Sequence, residues 1–334
     1  MTYKWLVVGV VAVLLATAVD NHFARAQESE SAGWWKPSVS GQLEKAGDNR
    51  SEWLDALSRV NREHRRALEF LIEHMPAPDL TTMKADDLLE NIELAYQAID
   101  QVPWGKQIPE SIFFNDVLPY ANVDETRENW RAAMMERCLP IIKDCQTPGE
   151  AAQKLNRELF PVIKVRYATS RKKANQSPSE SMQQSVASCT GLSIILTDAC
   201  RSVGVPSRLA GIPSWTNKRG NHTWVEVWDD GWHFTGAAEP SDQGLDHAWF
   251  SGDASLADDS KPMNRIYAVS YAKTGMYFPM VWSRGSRDVN AVNVTARYTA
   301  DRVDMDPTKT RVLITLLSDD GKRIARDLTI TGGA

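Results

Sequence analysis

Cysteine is scarce. Four residues spread over 334 positions cannot staple a chain of this length, so its stability has to come from a buried core, divided among two or three domains. A basic excess is missing too. The 38 Lys and Arg stand against 43 Asp and Glu, a formal charge of −5, and phosphate binding needs a concentrated basic face, so nucleic acid is not expected as a partner. No internal repeat or long low-complexity run is present, and a hydrophobic content of 43% excludes wholesale disorder. No D-x-D-x-D loop suggests calcium. His222, His233 and His247 lack accompanying Cys or carboxylates at ligand spacing, so zinc is not expected either. No cofactor is anticipated.

One long apolar run is present, at the start. Lys4 gives a short basic opening, and Trp5 to Val19 is continuously small or apolar. A polar stretch then leads to Ala24-Arg25-Ala26, an A-x-A cleavage pattern. This is the layout of a secretory signal peptide over residues 1–26, cut after Ala26. An uncleaved anchor is the alternative, but the run is short for a ~20-residue span. No later segment is apolar enough to span a bilayer. The expectation is a secreted or periplasmic protein with no membrane attachment once the signal is removed.

The remaining chain divides by pattern. Residues 27–150 form a helical N-terminal region, with Gln27 to Glu44 as a loose polar lead-in. Trp53, Leu54, Leu57, Val60, Ala67, Leu68, Leu71, Ile72 and Met75 recur every three or four positions, until Pro76 and Pro78 stop the helix. Leu88, Leu89, Ile92 and Ala95 predict a second helix. Glu125 to Lys143 and Pro148 to Leu159 predict two more, and the aromatic, Pro-containing stretch Trp104 to Tyr120 predicts an ordered, packed loop. A core follows over 151–285. Leu192, Ile195, Leu196, Ala199, Cys200 and Val203 trace one helical face, which Gly204 and Pro206 terminate. Strands are expected at Arg208 to Ile212, His222 to Trp228 and Trp232 to Thr235, the last two joined by an Asp229-Asp230-Gly231 turn. The tail, 286–334, is expected to be β-rich. Val292, Val294, Ala296 and Tyr298 alternate there, and Arg311 to Leu317 and Arg323 to Thr331 flank a second turn.

Chemistry concentrates at Cys189. It falls on the first turn of the predicted apolar helix, where unpaired backbone N–H groups and the helix dipole favour a thiolate. His222 is the best candidate base. It opens a strand in which His222, Trp224, Glu226 and Trp228 share one face, and a strand packed beside the helix start can bring the imidazole to the sulfur. That nucleophile-plus-base pair is the arrangement used for acyl transfer. A buried structural role is the alternative for each. Cys189 cannot pair with Cys200, because eleven residues of helix span ~16 Å and a disulfide needs Cα atoms within ~7 Å. Cys200 lies on the apolar face as plain core, and Cys138 and Cys145 can pair in an oxidising compartment.

The order Cys189-Thr190-Gly191, Gly204-Val205-Pro206-Ser207-Arg208 with Ala210-Gly211, His222-x-Trp224-x-Glu226-Val227 and Gly231-Trp232 resembles the transglutaminase-like superfamily over residues 150 to 250. Ile108-Pro109-Glu110 to Leu118-Pro119-Tyr120 adds a weaker resemblance to secreted bacterial transglutaminase-domain proteins. The resemblance implies an α+β fold in which a papain-like core, a helix packed on an antiparallel sheet, follows the helical N-terminal region and precedes the β-rich tail. It also implies a Cys nucleophile, a His base and an orienting Asp. Cys189 and His222 fall on the first two. The Asp position holds Gly236, and Glu239 is the nearest carboxylate, with Asp242 a poorer candidate.

Weaker signals surround these. Glu226 is either a polar supporter of His222 or a packing residue, with Arg208 as a possible pair. Trp224 and Trp228 are core or cleft wall. Gln183 or Gln184 is a candidate oxyanion donor. Asn49, Asn175, Asn221 and Asn293 match the glycosylation acceptor pattern, and Asp253 to Lys261 is an acidic, solvated loop. Two functions remain open. One is an exported cysteine enzyme acting on carboxamide or peptide bonds, with protein, peptide or cell-envelope material as substrate. The other is an inactive fold serving as a protein- or glycan-binding scaffold.

Overall fold

The computed structural model describes residues 33–300. The leader and the two strands expected after Arg311 lie outside those residues.

The N-terminal region is helical, with more breaks than the sequence pattern suggests. Pro37–Leu43 is a helix that buries Val39 and Leu43, so this part of the expected lead-in is packed: two apolar residues four apart give it an inward face. The long apolar stretch that follows is two helices, α1 (Arg50–Arg59) and α2 (Arg65–His74). The break falls at Val60 and Asn61, whose side chain accepts from the Glu63 N–H. With α3 (Ala85–Asp100) they enclose a core built on Trp53, Leu57, Leu68, Leu71, Ile72 and Leu88.

The stretch from Trp104 to Tyr120 is ordered and packed, but it contains a helical turn at Gly105–Gln107 and a short helix at Glu110–Asp116. Pro109, just before the second, presets its entry. α4 (Trp130–Ile142) starts later than Glu125, because the Glu125 carboxylate accepts from the N–H groups of Asn122 and Val123, both at 2.7 Å, in a preceding turn. α5 (Pro148–Ile163) has Pro148 at its first position and a Thr147 side-chain cap.

The core is α6 (Cys189–Ser202) against a five-stranded antiparallel sheet. The strands are β1 (Ser207–Ile212), β2 (His222–Trp228), β3 (Trp232–Thr235), β4 (Tyr267–Ser270) and β5 (Asn290–Asn293), in the order β3-β2-β1-β4-β5. Alternation divides the sheet by face. Leu209, Val225 and Val227 meet the apolar side of α6, while Ala210, Ile212 and Trp224 join Trp215, Phe250 and Tyr298 on the opposite face. Every residue of α6 from Thr190 to Ser202 is buried. Its second side is covered by α4 and by Val102 and Trp104, which share its cluster.

The alternation predicted from Val292 to Tyr298 ends early. β5 stops at Asn293, whose Oδ1 accepts from Thr295 N at 3.0 Å, and Thr295–Thr299 is a helix. Among the described residues no helix is long and apolar enough to cross a membrane.

Candidate functional site

Cys189 is the first residue of α6, and the helix start is fixed around it. Ser188 is the N-cap, its Oγ accepting from Gly191 N at 3.0 Å. The thiol is half-buried. Hydrogen bonds from the N–H groups of Thr223 and Thr190 and from the Thr190 side chain favour its thiolate form, yet burial outweighs them and pushes the thiol up, with the Glu239 charge acting in the same direction. The expected lowering by the helix start is therefore overturned by desolvation.

Thr223 is the link to His222. Thr190 and Thr223 share a hydrogen bond between their hydroxyls at 3.1 Å, so the first turn of α6 is tied to the first turn of chain in β2. His222 opens β2 and is 8% exposed. Its ring lies in an aromatic enclosure, 4.9 Å from Trp249, 4.9 Å from Phe250 and 5.9 Å from Trp224 between centroids. Such walls hold a ring in one orientation and keep bulk water from it.

Glu239 lies just after β3. The ladder between β2 and β3 stops at Val225 opposite Thr235, and the chain then turns, Glu239 N–H donating to Gly236 O at 3.2 Å. The indole N–H of Trp249 donates to Glu239 Oε2 at 2.7 Å, so one tryptophan touches both the carboxylate and the His222 ring. A Cβ added at Gly236 would lie 2.7 Å from Glu239 Oε2. The glutamate carboxylate thus fills the space that a side chain at 236 would need.

The turn is anchored from α5. Asn156, 1% exposed, accepts from Ala238 N at 2.7 Å and donates through Nδ2 to Gly236 O at 2.8 Å and Thr235 Oγ1 at 3.0 Å. Ala238 has φ +60°, a left-handed conformation that is unfavourable for alanine and persists where surrounding contacts impose it.

The other candidates separate from this centre. Glu226, fully buried, meets Arg208 Nε at 2.9 Å, Arg297 and the Tyr298 hydroxyl, and Arg208 also lies 3.6 Å over the Trp232 ring. It is a neutralised structural carboxylate. Trp224 is core, its indole N–H donating to Tyr298. Asp242 pairs with Arg157 in solvent. Gln184 bonds locally to Glu180 O and Lys172 N, and Gln183 is exposed. His233 meets Asp246 Oδ2 at 2.6 Å. Asp253 corrects the solvated-loop expectation: it is buried, in a helical turn, and holds Asn217 and Arg219. Asn49 and Asn175 use their amide nitrogens inside the fold, and the exposed Asn293 bonds Asp259 at the surface. Cys138, Cys145 and Cys200 are buried free thiols. No group of three or more His, Cys, Asp or Glu suited to a metal occurs among the described residues.

Trp249, Phe250 and Asn156 escaped the sequence reading. None stands in a periodic pattern, and each matters through contacts made only after folding. A small groove adjoins the site, lined by His222, Thr223, Phe278, Pro279 and Trp282, and the last three come from well beyond the core motifs.

Comparison with known proteins adds the following. Residues 136–237 match the transglutaminase-like superfamily. No curated protein matches the chain. Among solved structures the chain is similar to a cysteine-protease candidate from Cytophaga hutchinsonii, at 14% identity over 34% of this chain and 40% of that one, with a TM-score of 0.29. The match therefore spans less than half of that protein's length.

Proposed function

We propose that this chain, whose residues 136–237 form a transglutaminase-like core, is an exported cysteine enzyme that acts on carboxamide or peptide carbonyls. The observation that carries the reading is the convergence at the start of α6. Cys189 opens the helix, the hydroxyl of Thr190 beside it shares a 3.1 Å hydrogen bond with that of Thr223, one residue from His222, and the Glu239 charge adds to the burial that pushes the Cys189 thiol up.

His222 takes the thiol proton as the sulfur attacks the carbonyl carbon. The S–C bond forms, the C–N bond breaks, and the proton passes from the imidazolium to the departing amine or ammonia. The thioester is then cleaved by water, giving hydrolysis, or by an amine, giving transfer. Glu239 takes the role usually given to an aspartate, holding the imidazole in one tautomer and stabilising its protonated form. Leu192, Ile195 and Leu196 keep α6 fixed against the sheet, so the reacting atoms meet without reorganisation.

Iodoacetamide labelling tests the reading. Selective modification of Cys189 that disappears in His222→Ala supports the enzyme. Ordinary reactivity unchanged by that variant supports a scaffold that retains the fold. Because burial pushes the thiol up, the wild-type labelling rate should climb through neutral pH into the alkaline range. A plateau extending into acid would indicate a preformed thiolate–imidazolium pair and overturn base catalysis from the neutral thiol.

A further inference from the structure

We infer that Asn156 is a positioning residue for the Glu239 carboxylate, and so acts on the chemistry from a different helix. The inference rests on the proposed role of Glu239. Asn156 lies in α5 and is buried, and its amide satisfies three groups of one short turn: the N–H of Ala238, the carbonyl of Gly236 and the hydroxyl of Thr235. Those residues are the ones immediately before Glu239. Ala238 adopts φ +60°, which an L-residue holds only when its surroundings compel it. The Asn156 Oδ1 takes up the N–H of that same residue.

The direction of Glu239 is thereby set at two points. Asn156 fixes the backbone before it, and the Trp249 indole N–H fixes its Oε2 at 2.7 Å. A carboxylate on an exposed turn would otherwise sample several rotamers. Only an amide offers both the acceptor and the two donors this turn requires from one buried side chain.

Alkylation of Cys189 by iodoacetamide, with Cys189 resolved by peptide mass, provides the test in wild type, Asn156→Ala, Glu239→Gln and the double variant. Folding is followed by circular dichroism, and the His222 ring is titrated by NMR. Both single variants should slow neutral-pH alkylation by roughly ten- to a hundredfold. Both should move the His222 titration in the same direction, and the double variant should be no slower than the slower single one, as groups acting through one arrangement require. A wild-type rate in Asn156→Ala beside a slow Glu239→Gln overturns this inference and leaves the proposed function standing. An unchanged rate in Glu239→Gln overturns both the inference and the role given to Glu239. Multiplicative losses, or an unmoved His222 titration in Asn156→Ala, overturn the inference alone. Should Asn156→Ala fail to fold, Asn156→Asp replaces it. That variant keeps the acceptor for Ala238 N–H and loses the amide donors, so intermediate slowing is expected, and a wild-type rate overturns the inference.

Discussion

At the scale of single residues, the exchange between Gly236 and Glu239 is the most informative. A side chain at 236 and the carboxylate of Glu239 compete for one volume. Gly236→Asp alone should therefore disturb the turn and lower Cys189 alkylation. In a Glu239→Ala background the same change should raise the rate above that of Glu239→Ala itself, because the space is empty and a carboxylate returns to it. Alkylation rates in the four combinations check this, and a lower rate in the double variant than in Glu239→Ala would refute it. Glu226 provides a contrast. Its negative charge is enclosed by Arg208 and Arg297, so Glu226→Ala should destabilise the fold by roughly 3–5 kcal/mol, the range for breaking a buried pair. Urea denaturation measures this. Cys189 and His222 were legible because each is a reactive residue at the first position of a patterned element. Asn156 and Trp249 were not, since nothing in a lone Asn on a helix or a Trp in a loop signals a partner some eighty or ten residues away.

At the scale of elements, α6 shows what spacing can and cannot reveal. Its apolar offsets located the helix, its C-terminal stop and the face on the sheet. They could not reveal that Ser193, Thr197 and Asp198 are also buried, because the partner that meets Asp198, Asn122, is distant in sequence. Helix ends were less legible for a related reason: Asn61 and Glu125 make local backbone hydrogen bonds that interrupt periodicity without changing which residues are apolar. The cap at Ser188 has a measurable consequence. Ser188→Ala should cost about 1 kcal/mol of stability, and because the capped turn carries Cys189, it should also slow alkylation more than a remote substitution of equal thermodynamic effect. A comparison with a surface variant matched in melting temperature tests that second effect.

At the scale of the molecule, the helical region and the sheet-bearing core share buried polar connections. The Trp104 indole N–H donates to Gly204 O at 2.8 Å, and the buried Arg131 guanidinium reaches Arg201 O, Asn91 and the carbonyls of Val117 and Pro119. Asp116, one of the acids in this zone, has its carboxyl lifted by burial from 3.8 to about 6. An acid whose folded value is raised keeps its proton longer in the native state. Its favourable contribution is complete below the unfolded value and is lost as pH rises towards 6. Asp116→Asn lacks this loss, so relative to wild type it should gain about 3 kcal/mol of stability between about pH 4 and about pH 7. Unfolding curves at several pH values report the difference, and a constant offset between the two proteins would contradict it.

The burial of α6 from Thr190 to Ser202 bears on how the protein can be handled. A fragment cut to the motif-bearing stretch alone would expose an acid, two hydroxyl side chains and an apolar flank along a rod designed to be sheathed. It should form aggregates rather than a miniature catalyst. Any shortened version that keeps the fold around Cys189 has to bring the upstream helices with it, as a jacket that helix cannot supply for itself.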